Sequence, residues 1–266
     1  MSLRAKVAGV DFSGARDAGR HIWTAEGTPT SKGVRIDDLC RGDSLPSSGV
    51  AFDDAMGGLR NYLAGLTETI VGLDFPFSLP SGLIEQSTWS AFIHDFSDRF
   101  TTPDSFRDHC RTKTGGKELK RLTDVEATVP WCAYNLRLYR QTWAGIRYVL
   151  TPLVTGRRVR VIPIQTPNKG VPIIAEICPA SFLKRENLYF PYKGRGPERR
   201  KARSMILSEL TRRKIIVPVR GKLRQTMVED IGGDALDAAL SAICAAGIKN
   251  IAPRSAADLL ECRVYF

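Results

Sequence analysis

Three short apolar runs, each carrying one carboxylate, constrain this chain more than any other feature. They are VAGVDF around Asp11, IVGLDF around Asp74 and IIAEIC around Glu176. Each has the length of a single strand and is apolar at successive positions, as a central strand covered on both faces must be. A carboxylate in such a strand is costly to desolvate unless it is hydrogen-bonded or holds a cation. A fourth acidic site lies in GGDALDAALSA, where Asp234 and Asp237 stand three residues apart. On a helix they share a face.

Between these points the chain alternates. Residues 5–12 read as a buried strand, and further strands are expected around His21–Ala25 and Gly33–Leu39. Phe52, Met56, Leu59, Leu63 and Leu66 then recur with helical spacing. The run Thr69–Phe75 is a central strand that stops at Pro76. Residues 80–170 have another texture, with a helical stretch at Trp89–Phe96, a polar basic segment at Arg107–Arg121 and a long helix expected after Pro130. This region reads as a mainly helical insertion or lid. Two more strands follow at Val159–Gln165 and Pro172–Cys178, then helices at Glu198–Lys214 and Ala235–Ala246, and a short strand at Arg263–Phe266. Strands and helices in this order predict an α/β fold on a mixed sheet.

Of the 266 residues, 43% are hydrophobic and 25% charged, an ordinary balance for a globular protein. No apolar run approaches the roughly 20 residues of a membrane span. Nothing at the N-terminus reads as a signal peptide, so the expected location is cytoplasmic, with no membrane partner. The six cysteines form no CxxC pair, and the three histidines make no HxxxH or HExxH pattern. That spacing argues against a structural zinc site. The net charge of +11 is concentrated. Residues 184–224 hold 14 basic and three acidic side chains, so this window accounts for the whole excess. Such a patch attracts polyanions, or is merely a solvated helix face.

Taken singly, the acids have ordinary explanations. Asp11 before Ser13 and Gly14 suits a turn. Asp234 after Gly232 and Gly233 suits an N-cap, with Asp237 favourable to the helix dipole. Taken together, Asp11, Asp74, Glu176, Asp234 and Asp237 offer the hard oxygen ligands that Mg²⁺ or Mn²⁺ requires.

The segments VAGVDFSGA, IVGLDFPFSLP, AEICPAS and DALDAALSAICA, in that order, resemble the motifs of the predicted-nuclease family called domain of unknown function 429. That family belongs to the ribonuclease H-like superfamily. The resemblance runs nearly end to end, and KRLTD (Lys120–Asp124) is similar to part of that family's insertion. It implies one ribonuclease H-like domain over 1–266, with a central mixed sheet of about five strands between helices. It places Asp11 on the first strand, Asp74 on the fourth and Asp237 on the late helix as catalytic residues, and leaves Glu176 without a clear counterpart.

The expected activity is phosphodiester hydrolysis with two Mg²⁺ or Mn²⁺ ions held by Asp11, Asp74 and Asp237, completed by Asp234 or Glu176. Nucleic acid is the expected partner. Its backbone would lie against the basic segment, with Arg199, Arg200, Lys201 and Arg203, and against Arg121, Arg137 and Arg140 of the insertion. Trp131, Tyr134 and Trp143 suit base stacking or, more simply, core packing. Two rival readings are a small-molecule phosphotransferase or phosphatase, and a nucleic-acid-binding protein of the same fold without catalysis.

Overall fold

The computed structural model describes residues 4–266. Seven strands form one mixed sheet: β1 (Lys6–Asp11), β2 (Trp23–Thr30), β3 (Gly33–Arg41), β4 (Thr69–Asp74), β5 (Arg160–Val161), β6 (Ile173–Ile177) and β7 (Val264–Tyr265). The spatial order is β3-β2-β1-β4-β6-β5, and β7 pairs with the far end of the same β6 edge. The meander β1–β2–β3 is antiparallel, whereas β4, β5, β6 and β7 join in parallel.

Eleven α-helices are described: α1 (Phe52–Gly65), α2 (Trp89–Arg99), α3 (Pro103–Lys113), α4 (Leu122–Glu126), α5 (Tyr139–Ala144), α6 (Thr151–Thr155), α7 (Pro179–Arg185), α8 (Pro197–Arg212), α9 (Gly221–Glu229), α10 (Asp234–Gly247) and α11 (Asp258–Glu261). Side chains alternate across a strand, so the sheet separates two cores. Ala8, Val10, Val71 and Leu73 face α1, α2, α3 and α5, where Phe92, Phe96 and Phe106 complete one apolar cluster. Val7, Ile70, Ile173, Ala175 and Ile177 face the other way, toward α7, α8 and α10. Residues 80–170 thus contribute mainly to the first of these cores, with Ile162 in the second.

Several expected elements differ in detail. The strand expected over Val159–Gln165 is limited to Arg160–Val161, after which the chain turns and the Gln165 N–H returns to the Val161 carbonyl at 2.7 Å. The polar basic segment Arg107–Arg121 begins inside α3, which Thr102 and Ser105 cap reciprocally. The helix expected from Pro130 begins at Tyr139 and runs on through a π-helical stretch, Gly145–Leu150, into α6. A β-carbon on Gly145 would lie 2.4 Å from the Phe75 ring, so this helix packs against β4's exit only because position 145 has no side chain.

A similar close approach positions the functional end of the sheet. Gly9 of β1 and Gly72 of β4 are register partners. A β-carbon on Gly9 would stand 2.1 Å from the Ala238 carbonyl oxygen, and one on Gly72 would stand 2.6 Å from that of Ser241. The two glycines form a trough in which the backbone of α10 rests directly on the sheet. Five of its six alanines (Ala235, Ala238, Ala239, Ala242 and Ala245) are buried.

Candidate metal centre

Asp11 and Asp74 are the last residues of β1 and β4 and are paired in register. They share the parity of Gly9 and Gly72, so they project to the side on which α10 lies. Asp237 sits one turn into α10. One carboxylate oxygen from each of Asp11, Asp74 and Asp237 lies within 4.8 Å of the others. Asp11 is 8% exposed and Asp237 2%, while Asp74 is partly open. The three acids come from two strand ends and a helix that are far apart in sequence.

This clustering has an electrostatic cost. Burial raises the Asp11 carboxyl well above the usual carboxylate range; Lys193 opposes that shift, while Asp237, Asp234 and Asp74 add to it. Burial and then Asp237 push Asp74 up to about 7. Carboxylates arranged in this way favour a cation or a shared proton.

The chain supplies one cation itself. Lys193 Nζ stands 2.5 Å from Asp237 Oδ2 and 3.9 Å from Asp234 Oδ1, and the Tyr192 hydroxyl donates to Asp237 Oδ1 at 2.6 Å. Burial would lower the Lys193 ammonium, but Asp237 and Asp11 outweigh it and hold that group well above its ordinary value. Both oxygens of Asp237 are therefore engaged by neighbours on the segment between α7 and α8. Gly194 and Gly196 follow, with φ of 106° and 114°, a backbone region that L side chains rarely adopt. Lys193 appears in the sequence only as one charge among many in the basic run, and Tyr192 carries no sequence signal at all.

Asp234 begins α10 beside this group, and burial pushes it up to about 6. It is not the N-cap expected from the sequence. Gly233 occupies that position in the left-handed region, and Asp230 accepts from the Ala235 N–H at 3.0 Å.

Glu176, expected among the metal ligands, lies on the opposite face. Its register partner on β4 is Leu73, one residue before Asp74, so the pleat turns the two carboxylates to opposite sides of the sheet. There it forms a buried ion pair with Arg121 and accepts the Phe77 N–H at 2.9 Å. Burial raises its carboxyl and Arg121 draws it back down.

Arg121, expected at a phosphate backbone, is 1% exposed and is held by Glu176, Asp124 and the Glu261 carbonyl. Arg203, expected in the same role, is 2% exposed and donates to the carbonyls of Val228 and Tyr192. These two arginines brace the fold. Arg137, Arg140, Arg200 and Lys201 are exposed and Arg199 is partly so; Arg200 is paired with Glu229, and Arg140 lies 3.6 Å from Asp104. Tyr134 and Trp143 are core residues, whereas Trp131 is 38% exposed.

The donor set of Asp11, Asp74 and Asp237 suits a hard divalent ion. It is all oxygen, carries more negative charge than Lys193 balances, and is held on rigid elements. A scan against protein-family models finds no match to this chain, and searches of curated proteins and of solved structures find none either. The site is therefore read from its own geometry. The structure establishes a mixed seven-stranded α/β sheet flanked by helices, with a buried carboxylate cluster at its carboxyl-terminal edge. Among the described residues, no helix is long and apolar enough to cross a membrane.

Proposed function

We propose that this protein is a divalent-metal-dependent nuclease of ribonuclease H-like architecture that hydrolyses phosphodiester bonds with Mg²⁺ or Mn²⁺. The observation that carries this reading is the approach of Asp11, Asp74 and Asp237 to within 4.8 Å of one another. The position of Asp11 on the first strand, Asp74 on the fourth and Asp237 on a late helix supports the fold assignment, since the motif resemblance implies acids on those three elements.

In this reading Asp11, Asp74 and Asp237 hold the ions. Bound there, divalent ions would supply Lewis-acid polarisation of the phosphate and activation of water. The chain's own residues do the rest. Strand ends and a glycine-seated helix keep the three carboxylates fixed, and Tyr192 orients Asp237 through its hydroxyl. Lys193 balances Asp237, so a divalent ion held by Asp237 would compete with this ammonium. Arg137, Arg140, Arg199 and Lys201 are exposed or partly exposed cations that would meet a phosphate backbone in this reading. Such contacts bind without sequence preference and weaken as salt rises.

Calorimetric titration of Mn²⁺ and Mg²⁺ into the native protein, Asp11→Asn and Asp237→Asn tests the site. Saturable binding to the native chain that both substitutions abolish is expected. Hydrolysis of single-stranded and duplex nucleic acid should then require the metal and be lost in both variants while nucleic-acid binding persists. Metal binding that survives both substitutions would refute the assignment.

A further inference from the structure

A cavity of about 510 Å³ opens beside the carboxylate cluster, at the carboxyl-terminal ends of β4 and β6. Its size is typical of small-molecule sites, and its location is where α/β sheets bind ligands. The cavity lining combines two chemistries. Part of it is Asp74 and Asp237 of the cluster with the cations Lys193 and Arg199. Another part is aromatic and proline surface from Trp131, Tyr189 and Phe190 with Pro130 and Pro191, whose carbonyl accepts from Arg199 at 2.8 Å.

The aromatic wall is not ordinary core. Trp131 is 38% and Tyr189 50% exposed, and both belong to the small set of large hydrophobic side chains that remain open to solvent. Cations steady their rings: the Arg137 guanidinium lies 4.9 Å from the Trp131 centroid and the Lys184 ammonium 5.4 Å from that of Tyr189. An inorganic anion would use the cations and leave the aromatic surface bare. A purely apolar ligand would use the aromatic surface and make no use of the charged lining. A flat uncharged ring joined to a phosphate uses both.

We propose that this cavity is a nucleoside-phosphate site: the base of one unpaired nucleotide lies against Trp131 and Tyr189, and its phosphate sits by the carboxylates beside Lys193 and Arg199. The proposal rests on the metal-site reading above and deepens it by naming the substrate class as an unstacked nucleotide, free or within a strand. A base inside a duplex presents no face to such a wall unless it is extruded. Stacking on an aromatic platform tolerates any base, because every base has a π-face.

The test measures binding by calorimetry in Ca²⁺, a hard cation that takes the same oxygen ligands. The probes are adenosine 5′-monophosphate, inorganic phosphate, a short single-stranded oligonucleotide and a blunt duplex. The proteins are the native chain and Trp131→Ala/Tyr189→Ala; both side chains are substantially exposed, so the variant should fold, which circular dichroism and its Tm check. The mononucleotide should bind the native protein more tightly than phosphate does, and the single strand more tightly than the duplex. The double variant should lose about 5- to 150-fold in nucleotide affinity, the range of stacking on one aromatic platform. Its Ca²⁺ affinity should stay unchanged. Competition by the mononucleotide against the single strand identifies a strand residue as occupant; nucleotide binding with no strand binding identifies the free nucleotide. Equal affinity for phosphate and nucleotide, a duplex bound as tightly as the single strand, or full affinity in the folded double variant would overturn the proposal. Absence of Mn²⁺ and Mg²⁺ binding to the native protein sinks the metal reading instead, and nucleotide affinity measured without metal still decides the cavity.

Discussion

Replacing Arg121 by Met should destabilise the protein strongly while sparing any surface that meets nucleic acid. The guanidinium is 1% exposed and makes five hydrogen bonds: two to Asp124, two to Glu176 and one to the Glu261 carbonyl. These use its full complement of N–H donors. Met fills comparable volume, so the cost comes from two buried carboxylates left facing each other. Removing one partner of a buried pair typically costs about 3–5 kcal/mol. For a chain of this length the unfolding entropy is about 0.56 kcal/mol per kelvin, so the expected loss in Tm is about 5–9 °C. The deficit should depend on pH in a definite direction. Burial already holds the Glu176 carboxyl above its ordinary value, and Arg121 works against that shift. Without Arg121 the folded state binds the Glu176 proton more tightly than the unfolded chain does, so the variant loses stability as pH rises. Thermal denaturation followed by circular dichroism at pH 5 and pH 8 reads both effects. A Tm within about 1 °C of native at pH 8, or a deficit that grows toward acid, would show that Arg121 is not the buried brace described here.

Three further outcomes are expected. Asp74→Asn should raise Tm by about 2–4 °C at pH 8, equivalent to roughly 1–2 kcal/mol, because it removes a buried charge whose proton is held up to about 7. The gain should shrink toward pH 4, since the raised carboxyl loses folded-state stability only as pH climbs from its unfolded range through 7; a gain independent of pH counts against the shift. Lys193→Gln should tighten Mn²⁺ binding by about 1.5- to 5-fold at pH 8 by removing the ammonium that competes for Asp237 Oδ2, a partly exposed pair of modest strength, and weaker binding would mean that Lys193 assists the metal. Gly9→Ala drives a β-carbon to 2.1 Å from the Ala238 carbonyl oxygen, so α10 must lift; overpacking of this kind costs about 1–3 kcal/mol or more, and Mn²⁺ affinity should fall with Tm as Asp237 withdraws. Retained metal affinity in a folded Gly9→Ala protein would detach the glycine trough from the site.

Much of the architecture is legible in the residues because it depends on local pattern. The runs around Asp11, Asp74 and Glu176 are apolar at successive positions, and each forms a strand of the central sheet. The 3.6-residue repeat in Phe52–Leu66 gives α1, and the alanine-rich stretch after Gly233 gives α10. Elements whose cues are weak or polar are less visible. Helix α9, with basic and polar residues on most of its surface, is recognised only once Met227 and Val228 are seen to be buried against the sheet's second core.

The sequence by itself determined which residue types are available and where strands and helices run, because hydrophobic periodicity and chain-breaking prolines act over a few residues. Residue pattern alone could not rank the acids, and only the motif resemblance set Glu176 apart. Asp74 and Glu176 look equivalent as carboxylates in apolar strands, yet the β4–β6 register sends one to α10 and the other to Arg121. Register is a property of strand pairing, and a one-residue offset reverses the face of every side chain. The same holds for the cations. Arg121, Arg203 and Lys193 look alike in a basic chain, and only packing separates two buried braces from the ammonium that balances Asp237. Convergence of Asp11, Asp74 and Asp237 likewise required two glycines to bring a helix onto the sheet, a contact between residues more than 150 positions apart in the chain.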